Sequence, residues 1–133
     1  MIHACKLLGA KGIGLEKISN RVDLAQANLQ TTLDKYNHRG AVQLRHQDVQ
    51  ALAKLPEATT IVYCFGTVFP DELIEHIHNL CVECPTLRAV MATESIFSAC
   101  MFGKGWRRWR ERGKLSVPMR YELANRDFYL LER

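Results

Sequence analysis

The sequence predicts an α/β fold: a mainly parallel sheet covered by helices on both faces, with an antiparallel hairpin at its C-terminal end. Three observations carry this expectation. Short apolar or β-branched runs alternate with longer stretches of helical periodicity, as parallel strands joined by crossover helices require. The last two extended runs follow one another with only a turn between them. And 133 residues, 47% of them hydrophobic, suit one domain over residues 1–133 with its own core.

Met1 to Gly9 reads as the end of a helix, with Ala4, Leu7 and Leu8 on one face and Gly9 as its stop. Gly12 to Leu15 is a short buried strand closed by Glu16. Ser19 or Asn20 caps a helix whose apolar face is Val22, Leu24, Ala25, Leu29, Thr32, Leu33 and Tyr36. Asn37 to Gly40 turns the chain into a second strand, Ala41 to Arg45, with Asp48 at its exit. Asp48 to Leu55 reads as a short helix broken by Pro56. Thr59 to Phe65, rich in β-branched and aromatic residues, is a third strand. Pro70 and Asp71 open a helix with Leu73, Ile77, Leu80 and Cys84 on its apolar face, and Pro85 ends it. Leu87 to Ala92 is a fourth strand, and Glu94 to Gly113 is less regular. Leu115 to Tyr121 and Asp127 to Leu131 form the closing hairpin around a turn containing Asn125.

Composition narrows the function classes. No apolar run approaches the roughly 18 residues that span a bilayer, and Met1 to Gly14 has no signal-peptide pattern, so no membrane role is expected. The five cysteines, Cys5, Cys64, Cys81, Cys84 and Cys100, stand in no framework spacing and read as reduced thiols. The expected location is therefore inside the cell, in cytoplasm or nucleus. A net charge of +4 permits an acidic partner without demanding one.

The residues that could carry chemistry sit at strand ends, where open α/β sheets bind ligands. Glu16 can accept both hydroxyl hydrogens of a ribose; equally, it can cap the following helix or stand in solvent. Asp48 can accept from the exocyclic amine of adenine while Val49 packs on the ring, or it can be the N-cap of the short helix after it. Two acids at consecutive strand ends together point to a nucleoside site. Tyr63-Cys64-Phe65-Gly66, at the end of the third strand, is the candidate acceptor side. A neutral nucleophile held there would need alignment more than a strong base. The plainer reading is core packing for Phe65 and a buried, inert thiol for Cys64.

These residues carry a family resemblance. Gly14-Leu15-Glu16-Lys17 is similar to the Gly-Val-Glu-Lys run of the non-SET histone lysine methyltransferases, the disruptor-of-telomeric-silencing family. Leu44-Arg45-His46-Gln47-Asp48-Val49 resembles that family's Leu-Glu-Arg-Gly-Asp-Phe, and Val62-Tyr63-Cys64-Phe65 its Val-Asn-Asn-Phe. The resemblance implies a Rossmann-like class I methyltransferase sheet and S-adenosylmethionine as cofactor. It also implies that Glu16 and Lys17 lie at the cofactor ribose, Asp48 and Val49 at adenine, and Tyr63, Cys64 and Phe65 at the acceptor. Val49 replaces a Phe, and Tyr63-Cys64 replaces an Asn pair, so the acceptor chemistry departs from the family's. In the family a central first strand and a Gly-rich loop precede the helix at Met1. The expectation is thus an N-terminally incomplete methyltransferase domain that cannot catalyse unaided.

Two further signals stand in the sequence. His78 and Cys81, with Cys84 in reach, could share a metal, but one C-x-x-C without a second pair is weak evidence, and no metal is expected. Gly103 to Lys114 gathers six cations, Lys104, Arg107, Arg108, Arg110, Arg112 and Lys114, with two Trp and one acid. It reads either as a contact for nucleic acid or an acidic protein surface, or as an excursion anchored by inward Trp rings. The function expected from all this is methyl transfer from S-adenosylmethionine to a protein lysine, with a histone as the candidate substrate. The alternative is a non-catalytic remnant that binds through the Trp/Arg segment.

Overall fold

The computed structural model describes residues 11–35, 42–66, 68–102, 109–118 and 125–133. The expected helix end at Met1 to Gly9 and the turn at Asn37 to Gly40 lie outside these residues. The chain divides into two compact units, Met1–Ala51 and Leu52–Arg133.

The first unit is a parallel pair of strands joined by a helix. Strand β1 (Gly12–Glu16) lies in register with β2 (Val42–His46), from Gly12 opposite Val42 to Glu16 opposite His46. Helix α1 (Ser19–Lys35) makes the crossover. It begins without a side-chain cap from Ser19 or Asn20: the Ile18 carbonyl accepts from the amides of Arg21 and Val22, both at 3.1 Å. Val22 is buried, and Ala25, Leu29, Thr32 and Leu33 are half-buried beside it. Leu24, expected on this face, is 65% exposed. Two residues at 100° each carry it most of the way round the helix from Val22. The short helix expected from Asp48 contracts to a single 3-10 turn, Val49–Ala51.

The second unit is a four-stranded sheet in the order β3-β4-β6-β5. Strand β3 (Ile61–Cys64) pairs parallel with β4 (Ala89–Thr93) through helix α2 (Asp71–Glu83). Strand β6 (Asn125–Glu132) runs antiparallel beside β4, and β5 (Arg110–Pro118) antiparallel outside β6. The α/β class with its C-terminal hairpin is therefore present. Helix α2 has Pro70 as N-cap residue, whose carbonyl takes the amides of Leu73 and Ile74. Asp71 and Glu72 in its first turn suit the positive end of the helix dipole. Its buried face is Ile74, Ile77, His78, Leu80 and Cys81, one step round from the expected one, with Leu73 only half-buried.

Two differences from the sequence reading have physical causes. Helix α3 (Glu94–Phe102) occupies the stretch read as irregular. It starts directly from the end of β4, with no Gly or Pro between, and is apolar on most sides, so it shows no clean stripe. Strand β5 starts at Arg110, five residues before the expected Leu115, because an edge strand can turn charged side chains to solvent. A bulge between Glu111 and Gly113 absorbs the extra residue. Asn125 pairs with Pro118 as part of β6 rather than lying in the turn. Residues 119–124, including the expected strand end at Tyr121, lie outside the described set.

Paired residues share a face of the sheet, so Val62, Cys64, Val90, Ala92, Tyr129 and Leu131 point one way. Phe97 of α3 stacks on Tyr129 at 4.1 Å, which places α3 on that face. Leu87, Val90, Ala92, Ile96, Cys81, Cys100 and Leu131 make the core. At the far end Arg133 ties the sheet to α2: its guanidinium donates to the carbonyls of Cys84 and Val82 and lies over the Trp109 ring. No described helix is long and apolar enough to cross a membrane.

Candidate functional site

In the first unit, Glu16 and Asp48 stand at the carboxyl ends of two adjacent parallel strands. The strands are locked together there: the Gln47 amide donates to the Glu16 carbonyl at 2.9 Å, and His46 Nε2 lies 3.0 Å from the Lys17 carbonyl. Each acid also serves its own backbone. Glu16 Oε1 accepts from the Ile18 amide at 3.0 Å, at the entry to α1. Asp48 Oδ1 accepts from the Gln50 amide at 3.0 Å and so caps the 3-10 turn. Both carboxylates are half-buried, as is Val49, and Lys17 is exposed. Among the described residues the second oxygen of each carboxylate has no hydrogen bond, so one acceptor on each remains for a ligand. Capping and ligand binding are therefore compatible in one side chain. The donor chemistry fits a nucleoside, whose hydroxyls and exocyclic amine supply hydrogens to such acceptors.

In the second unit, Tyr63, Cys64 and Phe65 occupy the end of β3 and its exit. Cys64 faces the core, where burial pushes its thiol up to about 11. At neutral pH it is a protonated thiol and a poor nucleophile. Burial also raises the Tyr63 phenol, and a Cys64 thiolate would raise it further. Tyr63 lies on the opposite face, 63% exposed, stacked on Phe128 at 5.7 Å. Phe65 stacks on the same ring at 5.8 Å. Phe128 pairs with Thr93, so this aromatic group sits at the carboxyl ends of β3 and β4.

Beside Gly66, which closes the run read from the sequence, two residues that build this exit carry no sequence signal for it: Thr93 and Phe128. The Gly66 amide donates to Thr93 Oγ1 at 3.1 Å in a buried hydrogen bond joining the two strand exits. A Cβ at Gly66 would lie 2.7 Å from Ile96 Cδ1 and 2.8 Å from Phe69 Cδ2, so only glycine fits without displacement. A strand-end Thr and a glycine before a helix are common in any α/β chain. Only their distance in the fold marks them.

The thiols and histidine weighed as ligands lie inward. Burial raises Cys81 strongly and Cys100 to about 12. His78 is 4% exposed, and burial lowers its pKa, so it is neutral at pH 7. Its Nε2 has no partner among the described residues. No group of three or more His, Cys, Asp or Glu among the described residues is placed to hold a metal ion.

Of the basic segment, Lys104, Arg107, Arg108 and Trp106 lie outside the described residues. Trp109 is buried and Arg110 exposed, an inward ring beside an outward cation. Arg112 Nε is 2.7 Å from Glu132 Oε2, and Lys114 Nζ is 2.6 Å from Asp127 Oδ2. These two cations are thus balanced by acids of β6.

No family model matches the sequence. No curated protein matches it either. Solved structures do resemble its fold. An rRNA methylase from Escherichia coli superposes with a TM-score of 0.51 at 12% identity, over 92% of this chain and 57% of that one. The 23S rRNA methyltransferase ErmE gives 0.50 at 15% identity, over 92% and 52%. An rRNA methylase from Streptococcus thermophilus gives 0.54 at 14% identity, over 92% and 73%. The chain spans little more than half the length of the first two. These likenesses establish the fold, the α/β sheet of methyltransferases. All three act on rRNA, and the expected histone lysine methyltransferase family has no counterpart among them.

Proposed function

We propose that this chain is the S-adenosylmethionine-binding part of a methyltransferase whose acceptor is RNA. The observation that carries the reading is the pair of carboxylates at consecutive strand ends, each keeping one acceptor oxygen, in a chain with the fold of rRNA methyltransferases. Glu16 accepts from the ribose hydroxyls, Asp48 from the adenine amine, and Val49 packs on the base. Lys17 lies at the rim. When bound, the cofactor supplies an electrophilic methyl on sulfur.

The acceptor residues are Tyr63, Cys64 and Phe65. With Tyr63 and Cys64 both held protonated, neither serves as a base at neutral pH. Their contribution is to position a neutral amine, which loses its proton after it has gained the methyl group. The exposed Tyr63 ring supports a base as acceptor, since aromatic faces stack on unpaired bases. The Gly14-Leu15-Glu16-Lys17 run favours a second reading, transfer to a protein lysine.

Calorimetry with S-adenosylmethionine tests the cofactor site. Glu16→Ala and Asp48→Ala should each weaken binding by about 1–3 kcal/mol, the range for a hydrogen bond to a charged group. Unchanged affinity in both variants overturns the assignment. Label transfer from methyl-labelled cofactor to rRNA fragments, with histones alongside, decides the acceptor. A chain with no affinity for the cofactor would instead be a binding module.

A further inference from the structure

The exits of β1 and β2 are joined by a side chain as well as by backbone. Glu16 and His46 are register partners at the ends of the two strands. From there the chain turns through Glu16-Lys17-Ile18 into α1. His46 Nε2 lies 3.0 Å from the Lys17 carbonyl oxygen. A carbonyl only accepts, so this ring nitrogen carries the hydrogen and donates it. On the other side of the same peptide bond, the Ile18 amide donates to Glu16 Oε1 at 3.0 Å. The Lys17–Ile18 peptide is trans, so its C=O and N–H point opposite ways. One rigid peptide plane thus spans the two side chains: His46 holds its oxygen, and its nitrogen holds Glu16. The preceding peptide is anchored too, because the Glu16 carbonyl accepts from the Gln47 amide at 2.9 Å. All of these groups lie in the first unit.

We propose that His46 is a positioning residue for the cofactor: through the Lys17–Ile18 peptide it sets where the Glu16 carboxylate stands to receive the ribose hydroxyls. The inference rests on the ribose role proposed for Glu16. The peptide transmits the effect in two ways. A donor on its oxygen fixes the rotation of the plane, and with it the direction of the Ile18 N–H. The same donor polarises the amide and makes that N–H the stronger one. With Oε1 tied to a fixed amide, Glu16 gives up rotamer freedom before the cofactor arrives, so binding has less ordering to offset. Asp48 is held separately, by the Gln50 amide. The influence of His46 therefore reaches one carboxylate and not the other, whereas a mere lock between the strands would act on both.

The experiment is a set of double-mutant cycles on S-adenosylmethionine binding by the 133-residue chain, read by calorimetry, with nuclear magnetic resonance of the free protein alongside. His46→Phe keeps a ring and removes the donor, and His46→Gln returns an N–H at similar reach. The position is exposed, so neither change disturbs packing. His46→Phe should weaken binding about three- to tenfold, the order of one hydrogen bond, and His46→Gln should restore most of it. In the Glu16→Ala background His46→Phe should change nothing further, and in Asp48→Ala it should keep its full effect. In the free protein His46→Phe should move the Ile18 amide proton upfield, and His46→Gln should bring it back. Unchanged affinity in His46→Phe, where Glu16→Ala weakens binding, overturns this inference and leaves the cofactor site standing. An effect of equal size in both backgrounds overturns it as well, being the mark of a strand lock. An Ile18 amide indifferent to His46 removes the relay whether or not the chain binds cofactor. A wild type without affinity for S-adenosylmethionine overturns the ribose role of Glu16, and this inference with it.

Discussion

The strand exits of the two units are held in different ways. At the ends of β1 and β2 the side chains of Glu16 and Asp48 bond only to the backbone of the element that follows each, two residues on. Nothing packed depends on them. At the ends of β3 and β4 the groups hold one another: Thr93 fixes Gly66, Ile96 and Phe69 leave no room for a side chain there, and Phe128 carries two stacked rings. The first arrangement leaves polar atoms open to a ligand, and the second fills its space. A change at the first exit should therefore alter binding before it alters the fold, and a change at the second should do the reverse.

The largest effect should come from Phe128→Ala. It empties a buried site under Tyr63 and Phe65 and should destabilise the protein by about 3–5 kcal/mol in urea unfolding. A loss below about 1 kcal/mol would mean the aromatic group is not a packed core, and the comparison would break. Next is Thr93→Val, which keeps the side-chain shape but strands the Gly66 amide in a buried site. A loss of about 1–3 kcal/mol is expected, with Thr93→Ser retaining the hydroxyl and most of the stability. The smallest should be Asp48→Ala, which removes one cap from a single half-exposed turn, worth about 0.5–1 kcal/mol. If Asp48→Ala destabilised as much as Thr93→Val, the first exit would be structural too, and its openness to ligand would need another explanation.

The sequence by itself determined the class of the fold and the succession of its elements along the chain. Alternating strand and helix patterns, each ended by Gly, Pro or a polar residue, are local signals, and β1, α1, β2, β3, α2 and β4 follow them closely. The same locality made Glu16 and Asp48 legible, because a carboxylate just past an apolar run must stand at a strand exit. Where neighbours in space replace neighbours in sequence, the reading failed. Helix α3 is apolar in sequence on most sides, so its period is hidden, and only the fold shows that Ile96 and Cys100 are the side chains it buries among those described. Strand β5 is rich in charge because it is an edge, a fact that only the strand order supplies. The pairing of Arg112 with Glu132 and Lys114 with Asp127 joins residues 20 and 13 positions apart through the β5–β6 register, and turns part of an apparent basic patch into a balanced ladder. The Thr93–Gly66 bond spans 27 residues and exists because two parallel strands end side by side. Periodicity encodes which face of an element is buried; which element lies beside it is decided only when the sheet is assembled.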